Sequence, residues 1–157
     1  SKMNAAIKYI NVNPNGGVPK FHVESILIQK LGPVNDKHND KHHGGFDRAV
    51  LLYSIEQISK LQEEGHHITP GSTGENLTIK GLAWEQLKQG DILKIGEVKL
   101  ELTFTAPPCP TIEKSFKDNK WQRMNNEQYP GVGRWCAKVL EEGKIVVGDT
   151  VEKISKT

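Results

Sequence analysis

The sequence feature that most constrains the fold of this chain is residues 98–105, where apolar and polar side chains alternate without a break. Successive side chains of a β-strand point to opposite faces, so this period of two predicts a strand with one buried face. The same alternation recurs in residues 134–140, where Trp135, Ala137 and Val139 share one face. The chain is therefore expected to build its core from β-sheet.

Several shorter segments extend this pattern. Strands are predicted at Ala5–Asn11, Val23–Gln29 and Val151–Ile154, and Glu141–Lys144 is predicted to be a hairpin turn leading into Ile145–Val147. Many short strands at short spacing, with few helices, predict a mainly β fold. We expect a β-barrel or a strongly bent sheet with a few short helices, in a single domain of 157 residues.

One helix is marked by the residues at its ends. Ser54 is the predicted N-cap, and Gln57, three residues further on, completes a capping box. Apolar residues then recur at helical spacing until Gly65, which is expected to end the helix. Ala83–Gln89 is predicted to be a shorter helix, and the polar residues 111–131 are expected to contain some helix or a mobile flap.

Composition excludes several classes of protein. The chain is 36% hydrophobic and 25% charged, which suits one ordinary folded domain. The net charge is only +2 and the basic residues are scattered, so no nucleic-acid partner is expected. No apolar run reaches the roughly 18–20 residues of a membrane span, and no secretory signal pattern is visible. We therefore expect a cytoplasmic protein whose two cysteines are reduced.

The strongest chemical feature is Cys109, in the Ala-Pro-Pro-Cys-Pro segment of residues 106–110. Three prolines in four residues fit poorly in a core strand because each removes a backbone donor, yet they make a stiff, extended loop. A cysteine in such a loop, at the end of a strand, is well placed to be exposed and functional. The alternative is a small buried side chain, which is common for free cysteine. Cys136, in the middle of a predicted strand, is expected to be a packed or half-exposed structural residue.

A second segment, residues 42–48, reads His-His-Gly-Gly-Phe-Asp-Arg. Adjacent histidines followed by two glycines combine ligand capacity with close backbone approach. Zinc binding is one alternative, but the other histidines and the two distant cysteines do not give the spacing of a closed zinc site. The other alternative is a polar turn before the apolar run at residues 49–52.

Two further loops carry groups that suit an anion. Residues 70–78 offer glycines, hydroxyls and free backbone donors for a phosphate-bearing ligand, although they match neither a Walker loop nor a dinucleotide fingerprint. Residues 16–20, Gly-Gly-Val-Pro-Lys, add Lys20, which can pair with a phosphate as a point charge. Both stretches are equally compatible with ordinary loops.

Taken together and in this order, the segments resemble the MOSC domain, the family named for the C-terminal domain of molybdenum cofactor sulfurase. The resemblance spans roughly Ala5–Ile154, and its matching pieces are Gly17–Lys20, His42–Val50, Gly74–Thr78, Gly90-Asp91, Pro108-Cys109, Gly133–Val139, Gly143 and Gly148-Asp149. Two positions depart from the family pattern. Asn35-Asp36 stands where Gly-Asp is common, and Ala106-Pro107 replaces the arginine usual before Pro-Cys.

The resemblance implies a mostly β fold around a barrel, a molybdenum cofactor (molybdopterin), and a functional cysteine. That cysteine maps to Cys109, as catalytic residue and metal ligand, with His43 as a second catalytic group. The residues expected to bind the cofactor are Lys20, His42, Gly44, Gly45, Asp47, Arg48, Thr73, Gly74, Glu75 and Asn76. Pyridoxal phosphate, which serves a separate domain of the sulfurases, is not expected in a chain of this length.

Three functions follow from this interpretation. The favoured one is a molybdenum-dependent oxidoreductase that reduces N-hydroxylated compounds. The second is a sulfur carrier that holds a persulfide on Cys109 and passes it on during metal–sulfur cofactor assembly. The third is a non-catalytic module that binds an anionic ligand. Besides the pterin cofactor, the expected partners are a redox or sulfur-donor protein and possible pairing as a homodimer, because this chain lacks the extra C-terminal helices of bacterial relatives.

Overall fold

A computed structural model describes residues 4–37 and 45–155. The strands in these ranges are β1 (Ala5–Val12), β2 (Phe21–Val23), β3 (Ser25–Gln29), β4 (Gly32–Pro33), β5 (Val50–Ser54), β6 (Leu77–Lys80), β7 (Ile92–Ile95), β8 (Val98–Thr105), β9 (Trp135–Glu141), β10 (Gly143–Val146) and β11 (Thr150–Ile154). The helices in the same ranges are α1 (Ile55–Glu63) and short 3-10 helices at Phe46–Arg48, Trp84–Gln86, Pro110–Ser115, Lys117–Asn119 and Trp121–Met124.

Strands from the whole length of the chain close into a barrel. The order around the barrel is β11-β7-β8-β9-β5-β6-β1, and it closes because β1 pairs with both β6 and β11. Within the ring, only β5 and β6 are parallel neighbours. β2 extends the sheet from β1, and β3, β4 and β10 form a separate three-stranded sheet. The prediction of a mainly β, barrel-like fold with a few short helices is confirmed.

The alternating residues of β8 form one wall of this barrel. The first three apolar side chains of β8 are buried, and Leu100 lies opposite Val139 of β9. Burial of each such side chain contributes roughly 1.5–3 kcal/mol. The register shifts between Leu102 and Phe104, which places Phe104 opposite Cys136. Irregularities of this kind bend and twist a strand, as closure of a barrel requires.

Helix α1 begins and ends where the sequence predicts. Ser54 Oγ accepts a hydrogen bond from the Gln57 backbone N–H at 3.1 Å, so Ser54 is the N-cap. At the other end Gly65 adopts a φ of 98°, and the His66 N–H donates to the Leu61 carbonyl at 3.1 Å. This is the geometry of a glycine-ended helix. Within the described ranges no helix is long and apolar enough to cross a bilayer.

The predicted strand Val23–Gln29 proves to be two strands. Val23 ends β2, which pairs with the barrel, whereas β3 belongs to the separate sheet. The chain bends at Glu24 between them. Ile26 and Ile28 share a buried face as predicted. A period-two pattern reports which face a residue takes, but it does not show that the chain leaves one sheet for another.

The predicted hairpin at Glu141–Lys144 is also wrong. β9 ends at Glu141 and β10 begins at Gly143, but β10 pairs with β3, where Ile145 lies opposite Ile26. Near the end of β9, Lys30 Nζ donates to the Leu140 carbonyl at 2.7 Å. The Lys30 side chain therefore occupies a backbone carbonyl near the end of β9, where a hairpin partner would otherwise bond. β10 pairs instead with β3, from an earlier part of the chain.

The remaining helix predictions give only 3-10 turns. Trp84–Gln86 is the helical part of Ala83–Gln89, because the backbone is already extended at Leu87. Residues 111–131 contain 3-10 helices, as the sequence predicts. Since 3-10 turns are short and weakly bonded, their side-chain pattern is hard to recognise in sequence.

Candidate functional site

Cys109 lies on residues 106–110, which we call the thiol loop. The loop starts where β8 ends, and the Ala106 N–H donates to the Arg134 carbonyl at 2.8 Å, which fixes the first residue of the loop. Cys109 is extended and partly exposed, and its Sγ contacts the Thr111 hydroxyl oxygen at 2.7 Å. The loop therefore presents a single reachable thiol beside a hydroxyl group.

Cys136 is a thiol of a different kind. It lies within β9 and is only 4% exposed. Burial raises the pKa of the Cys136 thiol to about 11, while the positive charges of Arg48 and Arg134 act in the opposite direction. A thiol held protonated in a strand is chemically inert, as expected for a packing residue.

Residues 71–76, which we call the glycine loop, are largely buried. Thr73 and Asn76 are 1% exposed and Glu75 is 0% exposed. Gly74 has a φ of 93°, and a Cβ built on it would lie 3.2 Å from a side chain of the turn at residues 16–20, so the two segments pack tightly. These four predicted cofactor-binding residues therefore face protein, and their role in binding a cofactor stays a prediction.

Glu75 is the buried acid of this loop. Burial raises the pKa of its carboxyl, opposed first by hydrogen bonds from the backbone N–H groups of Gly71 and Glu75 itself. The Thr78 hydroxyl donates to the carboxylate at 3.0 Å and the Thr73 hydroxyl at 3.4 Å. The positive charge of Arg134 also favours the ionised form. The balance leaves a carboxyl that holds its proton to higher pH than an exposed one does.

Lys20 is already paired within the protein. Its Nζ lies 2.6 Å from Asp36 Oδ2, and the side chain of Asp36 is fully buried at 0% exposure. Asp36 also accepts hydrogen bonds from the Asn76 amide and the Asn13 backbone N–H, each at 2.9 Å. The cluster ties the turn at residues 16–20 to the glycine loop. A phosphate bound by Lys20, as the sequence predicts, would therefore share the Lys20 ammonium group with Asp36.

Arg134 is a residue of the site that was not predicted from the sequence. It is 5% exposed, its Nη1 donates to the Thr73 carbonyl, and its Nη2 donates to the Pro107 carbonyl at 3.5 Å. Burial lowers the pKa of the guanidinium, and the negative charge of Glu75 opposes this most strongly. A sequence signal did exist. The usual arginine is absent at Ala106-Pro107, and Arg134 stands directly across the sheet from Ala106.

Only part of the histidine segment can be placed. His42, His43 and Gly44 lie outside the described residues. Gly45 has a φ of 82°, and no atom of the described residues beyond its chain neighbours lies within 4 Å of where a Cβ would be. The Asp47 carbonyl accepts a hydrogen bond from the Thr103 hydroxyl at 2.6 Å, and the Arg48 guanidinium lies 4.8 Å from the Phe104 ring centroid. β8 therefore anchors the part of this segment that leads into β5.

The structure thus brings three of the four predicted segments into contact. Hydrogen bonds and packing join the turn at residues 16–20 to the glycine loop, and Arg134 joins the glycine loop to the thiol loop. In the described residues no group of three or more His, Cys, Asp or Glu side chains could hold a metal ion.

A cleft of about 470 Å³ lies elsewhere, over the 3-10 helices that follow the thiol loop. Its lining includes Glu64, His66, Arg123 and Tyr129, and none of the residues predicted from the sequence to form the site. Arg123 bonds to both carboxylate oxygens of Glu64 at 2.8 Å, so these two charges of the cleft are paired. The chemistry points to the thiol loop rather than to this cleft.

The sequence of this chain is similar to one known family and to several known proteins. The MOSC domain family matches residues 39–152. A protein named reductase from Gibberella moniliformis is 29% identical over 141 residues, which cover 86% of this chain and 25% of that protein. The uncharacterized protein YflK from Bacillus subtilis is 30% identical over 115 residues, covering 73% of this chain and 51% of YflK. The chain therefore spans about a quarter and about half of these two relatives.

A solved structure shows the same fold. The crystal structure of YuaD from Bacillus subtilis matches with a TM-score of 0.81 at 16% identity, and the match covers 99% of this chain and 98% of that one. At this identity the likeness concerns the arrangement of the backbone.

Proposed function

Because the chain belongs to the MOSC domain family, we propose that it binds a molybdenum cofactor through Cys109 and reduces N-hydroxylated compounds. One observation carries the proposal: Cys109 is the partly exposed thiol, on a stiff loop joined by Arg134 to the glycine loop. The reductase from Gibberella moniliformis supports the reaction class, and the chain spans a quarter of that protein.

The residues at the site fit such a cofactor in part. A thiolate is a soft ligand that suits molybdenum, and Cys109 offers one at the surface. Arg48 is half-buried above the Phe104 ring, and its guanidinium suits a phosphate group, to which the backbone of Gly45, a residue without a side chain, can come close. Glu75 and Asn76 are bonded within the protein, so we assign them a supporting role beneath the site.

The reaction breaks the N–O bond of the substrate. Two electrons from an external donor and two protons convert the N-hydroxyl group to N–H and release water. The bound metal would supply the transfer of the two electrons. Cys109 would hold the metal, and the Thr111 hydroxyl, 2.7 Å from Sγ, would keep the sulfur in one orientation. His43 is assigned the transfer of a proton, because imidazole changes its charge near neutral pH.

The test is analysis of molybdenum and pterin in freshly purified protein from cells supplied with molybdate. We expect both in the unmodified protein and in a Cys136→Ala control, and loss of most of the molybdenum from Cys109→Ser. Reduction of hydroxylamine by a reduced dye should follow the molybdenum content. Equal molybdenum in Cys109→Ser and the control would contradict the proposal, as would a cofactor-loaded protein that leaves hydroxylamine intact.

The sulfur-carrier function is the second candidate, favoured by the accessibility of Cys109 and the burial of Cys136. A persulfide on Cys109 has no neighbouring thiol in its own loop to attack it, so the sulfur can wait for an acceptor. Incubation with a cysteine desulfurase and cysteine should then add the mass of one sulfur atom, and Cys109→Ser should stay unchanged. Binding of an anionic ligand that persists in Cys109→Ser would instead indicate a non-catalytic module.

A further inference from the structure

Arg134 joins two loops that are far apart in the sequence. It lies just before β9, and its backbone carbonyl accepts the hydrogen bond from Ala106 at the start of the thiol loop. Its guanidinium donates to the Thr73 carbonyl of the glycine loop and to the Pro107 carbonyl of the thiol loop. One side chain therefore sets the distance between the loop that carries Cys109 and the loop that carries Glu75.

The guanidinium is not used to the full by these contacts. Its Nε is buried and has no hydrogen-bond partner among the residues that the structure describes. An unpaired buried donor is unfavourable. Position 134 therefore carries a buried cation whose hydrogen-bonding capacity its described contacts do not fully use.

The charge of Arg134 interacts with groups on both loops and on two strands. These groups are Glu75, Cys136, Tyr53 and Cys109. Pro107, whose carbonyl it contacts, is two residues from Cys109, so their Cα atoms lie at most about 7 Å apart. A buried cation is screened by salt less than an exposed one is.

We propose that Arg134 is a positioning residue, which clamps the thiol loop to the glycine loop and makes Cys109 selective for anionic ligands and substrates. The inference rests on the proposed function of Cys109. It adds a charge preference that the fold alone does not imply. The same preference would favour the negatively charged pterin phosphate and an anionic N-hydroxylated substrate over their neutral counterparts.

The preference can be measured on cofactor-free protein with two alkylating reagents. Iodoacetate is an anion and iodoacetamide is neutral, and both react with the same thiolate, so the ratio of their rates reports local charge rather than protonation of the thiol. In a Cys136→Ala background, we expect this ratio at Cys109 to exceed that of N-acetylcysteine amide by about three- to ten-fold. The excess should persist in 0.5 M salt.

Substitutions at Arg134 should then remove the excess. Arg134→Met should lower the ratio to that of the small thiol, and Arg134→Lys should keep part of it because the charge remains. Lys138→Met is the matched control, since it also replaces a cation by methionine, and Lys138 lies on β9 with a side chain that is 41% exposed. That variant should leave the ratio unchanged. Circular dichroism would show which variants are folded.

Two results would overturn the inference: a ratio in the background protein equal to that of the small thiol, or an unchanged ratio in folded Arg134→Met. The first measurement needs no variant at Arg134, so a variant that fails to fold does not remove the test. Because no cofactor is involved, a high ratio in a protein that binds no molybdenum would reject the proposed function and keep the role of Arg134.

Discussion

Cys136 lies on β9, and Cys109 lies on the loop that follows the neighbouring strand, β8. The two cysteines nevertheless occupy opposite environments. Cys136 is packed in β9, and burial raises the pKa of its thiol to about 11. Cys109 is four residues beyond the end of β8, on a loop whose prolines prevent it from joining the sheet. The comparison shows that the prolines, rather than distance from the barrel, decide which thiol is reachable.

The inner face of the barrel and the loops at the site differ in a similar way. The inner face is lined by hydrocarbon, such as Leu100 and Leu102, which are 0% exposed. The buried groups of the glycine loop include Glu75 and Asn76, and the buried Arg134 joins that loop to the thiol loop. Polar groups are buried at a cost unless they are hydrogen-bonded, so the site side of the molecule gains less stability from burial than the wall does.

Labelling of the native protein tests the contrast between the two thiols most directly, because their reaction rates are expected to differ strongly. At pH 8 a disulfide reagent should react with Cys109 more than about 100-fold faster than with Cys136. The thiolate is the reacting species, and a pKa of about 11 leaves roughly 0.1% of Cys136 in that form at pH 8. Stopped-flow absorbance of the released thiol measures both rates.

Two variants show which cysteine gives each kinetic phase. Cys109→Ser should abolish the fast phase, and Cys136→Ala should abolish the slow one. In urea both thiols should react at similar rates, because the difference depends on the fold. A fast phase that survives in Cys109→Ser would mean that β9 opens readily and that the wall is less closed than the structure shows.

The sequence predicts the wall well because its signals are local. The alternation in residues 98–105 defines β8, and the Ser54 and Gly65 signals define the ends of α1. Each depends on neighbours along the chain and on the geometry of one element. The position of Cys109 on an exposed loop is also predictable, since three prolines exclude a central strand.

The arrangement around the site is less predictable because its contacts join distant parts of the chain. Arg134 and Thr73 are 61 residues apart, and Asn76 and Asp36 are 40 apart. The pairing of β10 with β3 rather than β9 is of the same kind. Periodicity shows that a residue is buried or exposed, but it does not show which distant partner will satisfy its polar atoms.

Serine substitutions at the two cysteines test the same contrast through the free energy of unfolding. Cys136→Ser should destabilise the protein by about 1–2 kcal/mol, because a buried hydroxyl there loses its hydrogen bond to water. Cys109→Ser should change the free energy of unfolding by less than about 0.5 kcal/mol, as is usual for a partly exposed position. Urea unfolding followed by tryptophan fluorescence measures both changes.

Cys136→Ala serves as the matched control for this pair, because it removes the sulfur without adding a hydroxyl. Its loss of stability should be smaller than that of Cys136→Ser. Equal losses for serine at the two positions would contradict the contrast between the wall and the thiol loop.

The smallest expected effect concerns Glu75, on the polar side of the comparison. Its pKa in the folded protein is raised by burial above the ordinary value of 4.5. At a pH between 4.5 and the pKa of Glu75 in the folded state, the folded protein keeps a proton that the unfolded chain has released. Stability therefore falls as the pH rises from 4.5 through the folded pKa. Glu75→Gln, which resembles the protonated carboxyl, should remove this dependence and add at most about 1 kcal/mol at pH 8.

Thermal unfolding of the two proteins from pH 4 to pH 8 measures this effect. The curves should meet near pH 4, where the carboxyl of Glu75 is protonated in both the folded and the unfolded states, and diverge in favour of Glu75→Gln as the pH rises. Glu63→Gln is the control, since that residue is exposed on α1. A wild-type protein that is the more stable of the pair at pH 8 would show that Arg134 holds Glu75 as a carboxylate, and that the two loops are joined by a buried ion pair.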